Sequence, residues 1–179
     1  EFATDFFTRY REQPFFFYYP THLIHNPIMR TPDTKPGITD AGALYEDNVA
    51  YLDKELGRLV AALDRLGLRE RTLIVFSGDN GTSNKHAAGK LTIGGREVNG
   101  MKTDMLEGGS RVPLIANWKG AIAGGRVLGD LVDFTDFLAT FAEVGGATLP
   151  AGVTLDSRSF APQLRGEKGS PREWVYVEH

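Results

Sequence analysis

The chain has 179 residues, 41% of them hydrophobic and 24% charged, with a net charge of −3. This is enough chain for one domain with its own core, and the slightly acidic balance gives nucleic acid nothing to hold, so no such partner is expected. No apolar run approaches the roughly 18 residues a membrane span needs, and cysteine is absent, which excludes disulfides, thiolate metal sites and a cysteine nucleophile within these residues.

In chain order, residues 1–12 read as the end of a helix, charged and amphipathic rather than built as a signal peptide. PFFFYYP (14–20) is an aromatic run bracketed by prolines, the pattern of a buried strand. Residues 21–39 hold three prolines and a glycine and form a loop. The clearest helix covers about 40–67. Asp40 is placed to cap it, Leu52, Leu56, Leu59, Val60, Leu63 and Leu66 recur every three or four residues on one face, and Gly67 ends it. Residues 72–76 read as a buried strand. Residues 77–110 carry eight glycines and form a long loop, a length that inside a compact domain is usually functional. RVPLIANW (111–118) resumes strand character, 119–130 turns, LVDFTDFLATFAEVGG (131–146) is a helix closed by glycine, and WVYVEH (174–179) begins another strand. Strands alternating with helices argue for a layered α/β domain with a mostly parallel central sheet.

In such sheets ligands sit beyond the carboxyl ends of the strands, and three loops there carry unusual polar residues. The first holds His22 and His25. The second, Ser77-Gly78-Asp79-Asn80-Gly81, sets a carboxylate and an amide side by side at a strand end. The third, GMKTDMLEGGSRVP, holds Lys102, Asp104, Glu107 and Arg111. Asp79 and Asn80 offer hard oxygens of the kind calcium or magnesium takes, although Asp, Asn and Gly are equally the residues of an ordinary turn. Histidine changes charge between about pH 5 and 8, so His25 can be read as a general acid or as a loop residue bonded to backbone. Lys102 can bind an anion or simply be solvated. His22 and His86 receive no role, and the leucine stripe is core.

Taken in order, these pieces resemble the sulfatase family of the alkaline-phosphatase-like superfamily. PFFFYYPTHLIHNPIM looks like its strand and His-x-Pro loop. YEDNVAYLDKELGRLVAALDRLGLRERTLIVFSGDNG is similar to its long helix and metal-binding strand end. GMKTDMLEGGSRVPLIANWKG looks like its lysine loop followed by Glu-Gly-Gly-x-Arg-Val-Pro, and LVDFTDFLATFAEVGG resembles the next helix. The resemblance implies that Asp79 and Asn80 ligate one divalent cation, normally calcium. It implies that Lys102 contacts the sulfate and that His25 binds the ester and protonates the leaving oxygen. Both would then be catalytic and substrate-binding residues. Glu107 and Arg111 shape the approach to the strand. All four site residues are expected to converge on one anion-sized hollow.

The family's nucleophile is a formylglycine made within a Cys/Ser-x-Pro/Ala-x-Arg motif. No such motif occurs here; Ser159-Phe160-Ala161-Pro162-Gln163 lacks the arginine. The resemblance therefore implies that residues 1–179 are the C-terminal portion of a sulfatase catalytic domain, its sheet incomplete at the N-terminal side. Residues about 165–179 would lead toward a small C-terminal subdomain. The formylglycine would lie upstream, the chain by itself would be inactive, and pairing with the missing N-terminal segment or self-association is expected. The substrate would be a sulfated small molecule or a sulfated glycan. Lys85, His86, Lys90 and Arg96 make 82–100 a basic loop that suits a polyanion, or a solvated surface. Two alternatives stay open: a phosphate or phosphonate ester hydrolase of the same superfamily, and a non-catalytic calcium-binding pseudoenzyme. The sequence leaves the compartment undecided; only the resemblance points to a periplasmic, secreted or lysosomal one.

Overall fold

The computed structural model describes residues 1–83 and 91–178. The chain folds as two compact units, one from Glu1–Arg69 and Ser77–Pro113, the other from Glu70–Phe76 and Leu114–Glu178. Among the described residues no helix is long and apolar enough to cross a membrane.

In the first unit, α1 (Phe2–Tyr10) packs on α2 (Ala41–Arg65). The α2 boundaries follow from local chemistry. Asp40 accepts the Ala43 N–H at 2.9 Å, satisfying one of the donors a helix start leaves open. At the other end Gly67 takes φ +67°, and the Leu68 and Gly67 N–H groups bond the Leu63 and Asp64 carbonyls at 2.9 and 3.1 Å, the glycine-terminated cap expected of such an ending. The leucine stripe is half-buried or buried, while Asp53, Lys54, Arg58 and Asp64 opposite it are exposed. Phe6 and Phe7 of α1 meet Phe15 and Phe17 with ring centroids 5.0–5.7 Å apart, and Phe7 is buried.

The aromatic run 14–20 thus supplies core, but it is not a strand. Its side chains alternate, Phe15 and Phe17 inward, Phe16 and Tyr18 outward, as a period-2 pattern requires. Among the described residues, however, no neighbouring strand gives it a ladder. The segment 174–178 is likewise outside any strand, and only Arg172, just before it, bridges Leu131 antiparallel. The long loop contains a hairpin, β2 (Leu91–Ile93) and β3 (Arg96–Val98), paired antiparallel with Ile93 opposite Arg96 across Gly94 and Gly95, both at positive φ. Lys85, His86 and Lys90 lie outside the described residues; Arg96 is exposed.

In the second unit β1 (Ile74–Ser77, its last residue passing into the first unit) pairs with β4 (Leu114–Asn117). All four β1 residues are half-buried rather than buried. The expectation of a broad, mostly parallel central sheet is therefore corrected: the described residues form two two-stranded sheets, because two of the expected strands find no partner. α4 (Asp136–Gly145) starts later than the apolar pattern suggested and ends at Gly146, φ +67°. It packs on α5 (Ala161–Arg165), with Ala139, Phe160 and Ala161 buried.

Candidate active site

The four candidate residues all lie in the first unit. Beyond Ser77 the chain turns through Gly78-Asp79-Asn80-Gly81 onto a short helix, α3 (Glu107–Ser110). The Gly81 N–H donates to the Gly109 carbonyl at 2.8 Å, the Gly108 N–H to Asn99 at 2.8 Å and the Lys102 N–H to Thr82 at 3.0 Å. The backbones meet so closely that side chains are excluded. A Cβ on Gly81 would lie 1.8 Å from the Gly108 carbonyl oxygen, one on Gly108 2.1 Å from that of Gly100, and one on Gly109 2.0 Å from that of Asp104. These glycines bind the Asp79–Asn80 loop and the Lys102 loop into one body.

Within it Asp79 is exposed and Asn80 half-buried. Asp79 Oδ1 accepts its neighbour's N–H at 3.0 Å, and Asn80 Nδ2 donates to the Gly81 carbonyl at 2.9 Å. Asp79 Oδ2 and Asn80 Oδ1 are left without a protein partner among the described residues. These are two hard oxygens of the kind calcium or magnesium takes. They fit as part of such a site. They are not a whole one, since among the described residues no three His, Cys, Asp or Glu side chains gather in a metal-holding group and calcium takes about six to eight ligands. Asn80 also lines an open cleft with Thr82, Ile93, Val98 and Arg111.

Lys102 is half-buried, at the second position of a tight turn closed by the Asp104 N–H to Met101 carbonyl bond (2.8 Å) and by the Met101 N–H to Asp104 Oδ2 bond (2.9 Å). Arg111 Nη1 donates to Glu107 Oε2 at 3.0 Å, an exposed pair one helical turn apart. His25 is exposed, just before the cis Asn26–Pro27 peptide. Its Nδ1 lies 2.7 Å from the Asn26 carbonyl. A carbonyl only accepts, so Nδ1 carries a proton and Nε2 is the nitrogen free to exchange one. The loop holding His25 is tied to α2 through Asn48 Nδ2, which donates to the Met29 carbonyl at 2.8 Å, and is stapled by Arg30 to the Ile38 and Lys35 carbonyls at 2.6 and 2.7 Å. The structure thus joins Asp79, Asn80 and Lys102 through shared backbone contacts. Among the described residues no hydrogen bond or ion pair joins His25 to any of them. The Gly81 contact with α3 and the Lys102–Thr82 link are not legible in the sequence, because they join residues about 28 and 20 apart; the doubled glycine of α3 is their one visible trace.

The sulfatase family model matches residues 1–147, and the chain belongs to the sulfatase family. It is 36% identical over 182 residues to arylsulfatase A of Bos taurus, covering 98% of this chain and 34% of that protein. With steryl-sulfatase of Mus musculus it shares 34% over 178 residues, 97% of this chain and 28% of the other. Among solved structures, that of Ps i-CgsB in complex with k-i-k-neocarrahexaose superposes with a TM-score of 0.79 at 27% identity, over 92% of this chain and 37% of that one. These likenesses are consistent with the α/β frame of the alkaline-phosphatase-like class. The chain spans about a third of the length of the curated relatives it matches.

Proposed function

We propose that these residues are the C-terminal portion of the catalytic domain of a sulfuric ester hydrolase that cleaves sulfate monoesters. The observation that carries the reading is the glycine-tight union of the Asp79–Asn80 strand end with the Lys102 loop in a chain of the sulfatase family. Asp79 and Asn80 would hold one divalent cation, calcium by family resemblance, and such an ion when bound neutralises sulfate charge and polarises the ester. Lys102 adds a second positive charge for the sulfate oxygens. His25, with its Nδ1 proton committed to the Asn26 carbonyl, delivers a proton from Nε2 to the departing oxygen when the ring is doubly protonated. The formylglycine nucleophile is expected outside these residues, so the 179-residue chain alone should show no turnover. The substrate is a sulfated small molecule or a sulfated glycan; the similarity to a structure holding k-i-k-neocarrahexaose supports the second.

The test uses the full-length protein with 4-nitrophenyl sulfate and 4-nitrophenyl phosphate. Sulfate is expected to be the better substrate. Asp79→Ala, Lys102→Ala and His25→Ala are each expected to lower kcat/KM by about 10²–10³, the scale of one lost transition-state contact. Each should melt within a few degrees of wild type. Preference for phosphate would favour the phosphoester reading, and unimpaired variants would remove these residues from the site.

A further inference from the structure

The described residues contain eleven glycines at positive φ and only two other residues there, Ile24 at +63° and Thr103 at +80°. Both are β-branched, the side chains least suited to that region, since a Cβ crowds the following carbonyl and a second branch adds to the clash. Both occupy the same place in the same kind of turn. The Asp104 N–H to Met101 carbonyl bond makes Thr103 the third residue of a four-residue turn. The His25 N–H to His22 carbonyl contact, 3.4 Å, does the same for Ile24. Turns with positive φ at that position ordinarily put glycine or asparagine there. Each strained residue directly adjoins a candidate catalytic side chain, Ile24 beside His25 and Thr103 beside Lys102. Neighbouring groups hold the strained turns: Thr21 Oγ1 accepts the Leu23 N–H at 3.1 Å, Asp104 Oδ2 accepts the Met101 N–H within its own turn, and the Thr82 carbonyl accepts the Lys102 N–H from outside it.

We propose that Ile24 and Thr103 are positioning residues: each confines its turn to one narrow backbone well and so fixes the direction of His25 or Lys102 ahead of substrate binding. Glycine would carry the same φ without strain but would leave the turn free to wander. Strained, over-determined backbone of this sort concentrates at functional sites. The chain uses glycine at eleven other such positions, so its absence at these two is a local departure from the chain's own habit. The inference rests on the sulfatase reading, in which His25 and Lys102 act on the ester.

The experiment compares Ile24→Gly, Thr103→Gly, Ile24→Val and Thr103→Val in the full-length protein, with 4-nitrophenyl sulfate as substrate and thermal melts in parallel. The glycine variants are expected to melt at or above the wild-type Tm. Their kcat should fall about 10- to 100-fold, as for a small misplacement of a catalytic group, with KM moving far less. Valine keeps the branched Cβ and is expected to recover most of kcat, which separates backbone stiffness from the chemistry of the lost Thr103 hydroxyl. Glycine variants with wild-type kcat, or with a lowered Tm, would overturn the proposal. So would valine variants as impaired as glycine. If His25→Ala and Lys102→Ala leave turnover intact, the sulfatase assignment of those two side chains falls first, and this proposal with it.

Discussion

The largest stake on one side chain lies at Asp136, 2% exposed at the start of α4. Its carboxylate receives Arg172 Nε and Nη2, both at 2.8 Å, the Asp133 N–H at 2.9 Å and the Arg158 N–H at 2.7 Å. Burial works to raise its pKa, but the Arg172 hydrogen bonds and the two backbone donors outweigh it, and the group sits below the ordinary carboxylate range. A depressed acid stabilises the fold above its unfolded value, near pH 4, and that contribution drains away as pH falls through the native value. Asp136→Asn leaves the Arg172 guanidinium, 4% exposed, enclosed with only the exposed Asp156 carboxylate, 3.7 Å from Nη1, as countercharge, a loss of about 3 kcal/mol, the low end for a broken buried pair. Urea unfolding of wild type and variant at pH 7 and pH 3 checks both parts. The gap should be large at pH 7 and narrower at pH 3; a gap that does not depend on pH would mean the pair is not what stabilises this corner.

Among elements, α3 is the one whose sequence admits least change. In Gly109→Ala the new Cβ would stand 2.0 Å from the Asp104 carbonyl oxygen and 2.5 Å from that of Met101. Both are backbone, and both belong to the Lys102 turn, so neither can yield without opening it. A loss on the order of 3 kcal/mol or more is expected, with activity falling in step. Gly57 on α2 is the opposite case. It is exposed and helical, and a Cβ there meets nothing within 4 Å, so Gly57→Ala should gain about 0.5–1 kcal/mol from helix propensity alone. Paired thermal melts of the two variants test the contrast. It also marks what was legible in the sequence. The Asp40 cap, the Gly67 and Gly146 endings and the leucine stripe are local signals, and each was readable. The meaning of Gly-Asp-Asn-Gly was only half so. Its oxygens are visible in the sequence, but the reason for Gly81 lies in α3, about 30 residues on. Nothing in the spacing of His25 said where its loop would dock, and the strain at Ile24 and Thr103 shows only in the dihedral angles.

On the scale of the whole molecule, the sheet is the feature that sequence overstated, and the reason is physical. A period-2 aromatic run tells which side chains share a face, not whether a ladder partner exists. Residues 14–20 half-bury Phe15 and Phe17 yet leave Phe16 67% and Tyr18 77% exposed; Trp174 and Tyr176 stand 60% and 72% exposed in 174–178. Segments outside any sheet that hold large aromatic rings toward solvent offer apolar surface to another chain. We therefore expect the 179-residue chain, prepared alone, to associate as its concentration rises through about 10–100 μM, a range in which such surfaces meet. Phe16→Lys with Tyr18→Lys places charge on the outward face and leaves the Phe6–Phe7–Phe15–Phe17 contacts untouched. That double variant should sediment closer to the monomer, since charge on such a segment opposes pairing. A wild-type chain monomeric throughout the range would show that these aromatic rings tolerate water on their own.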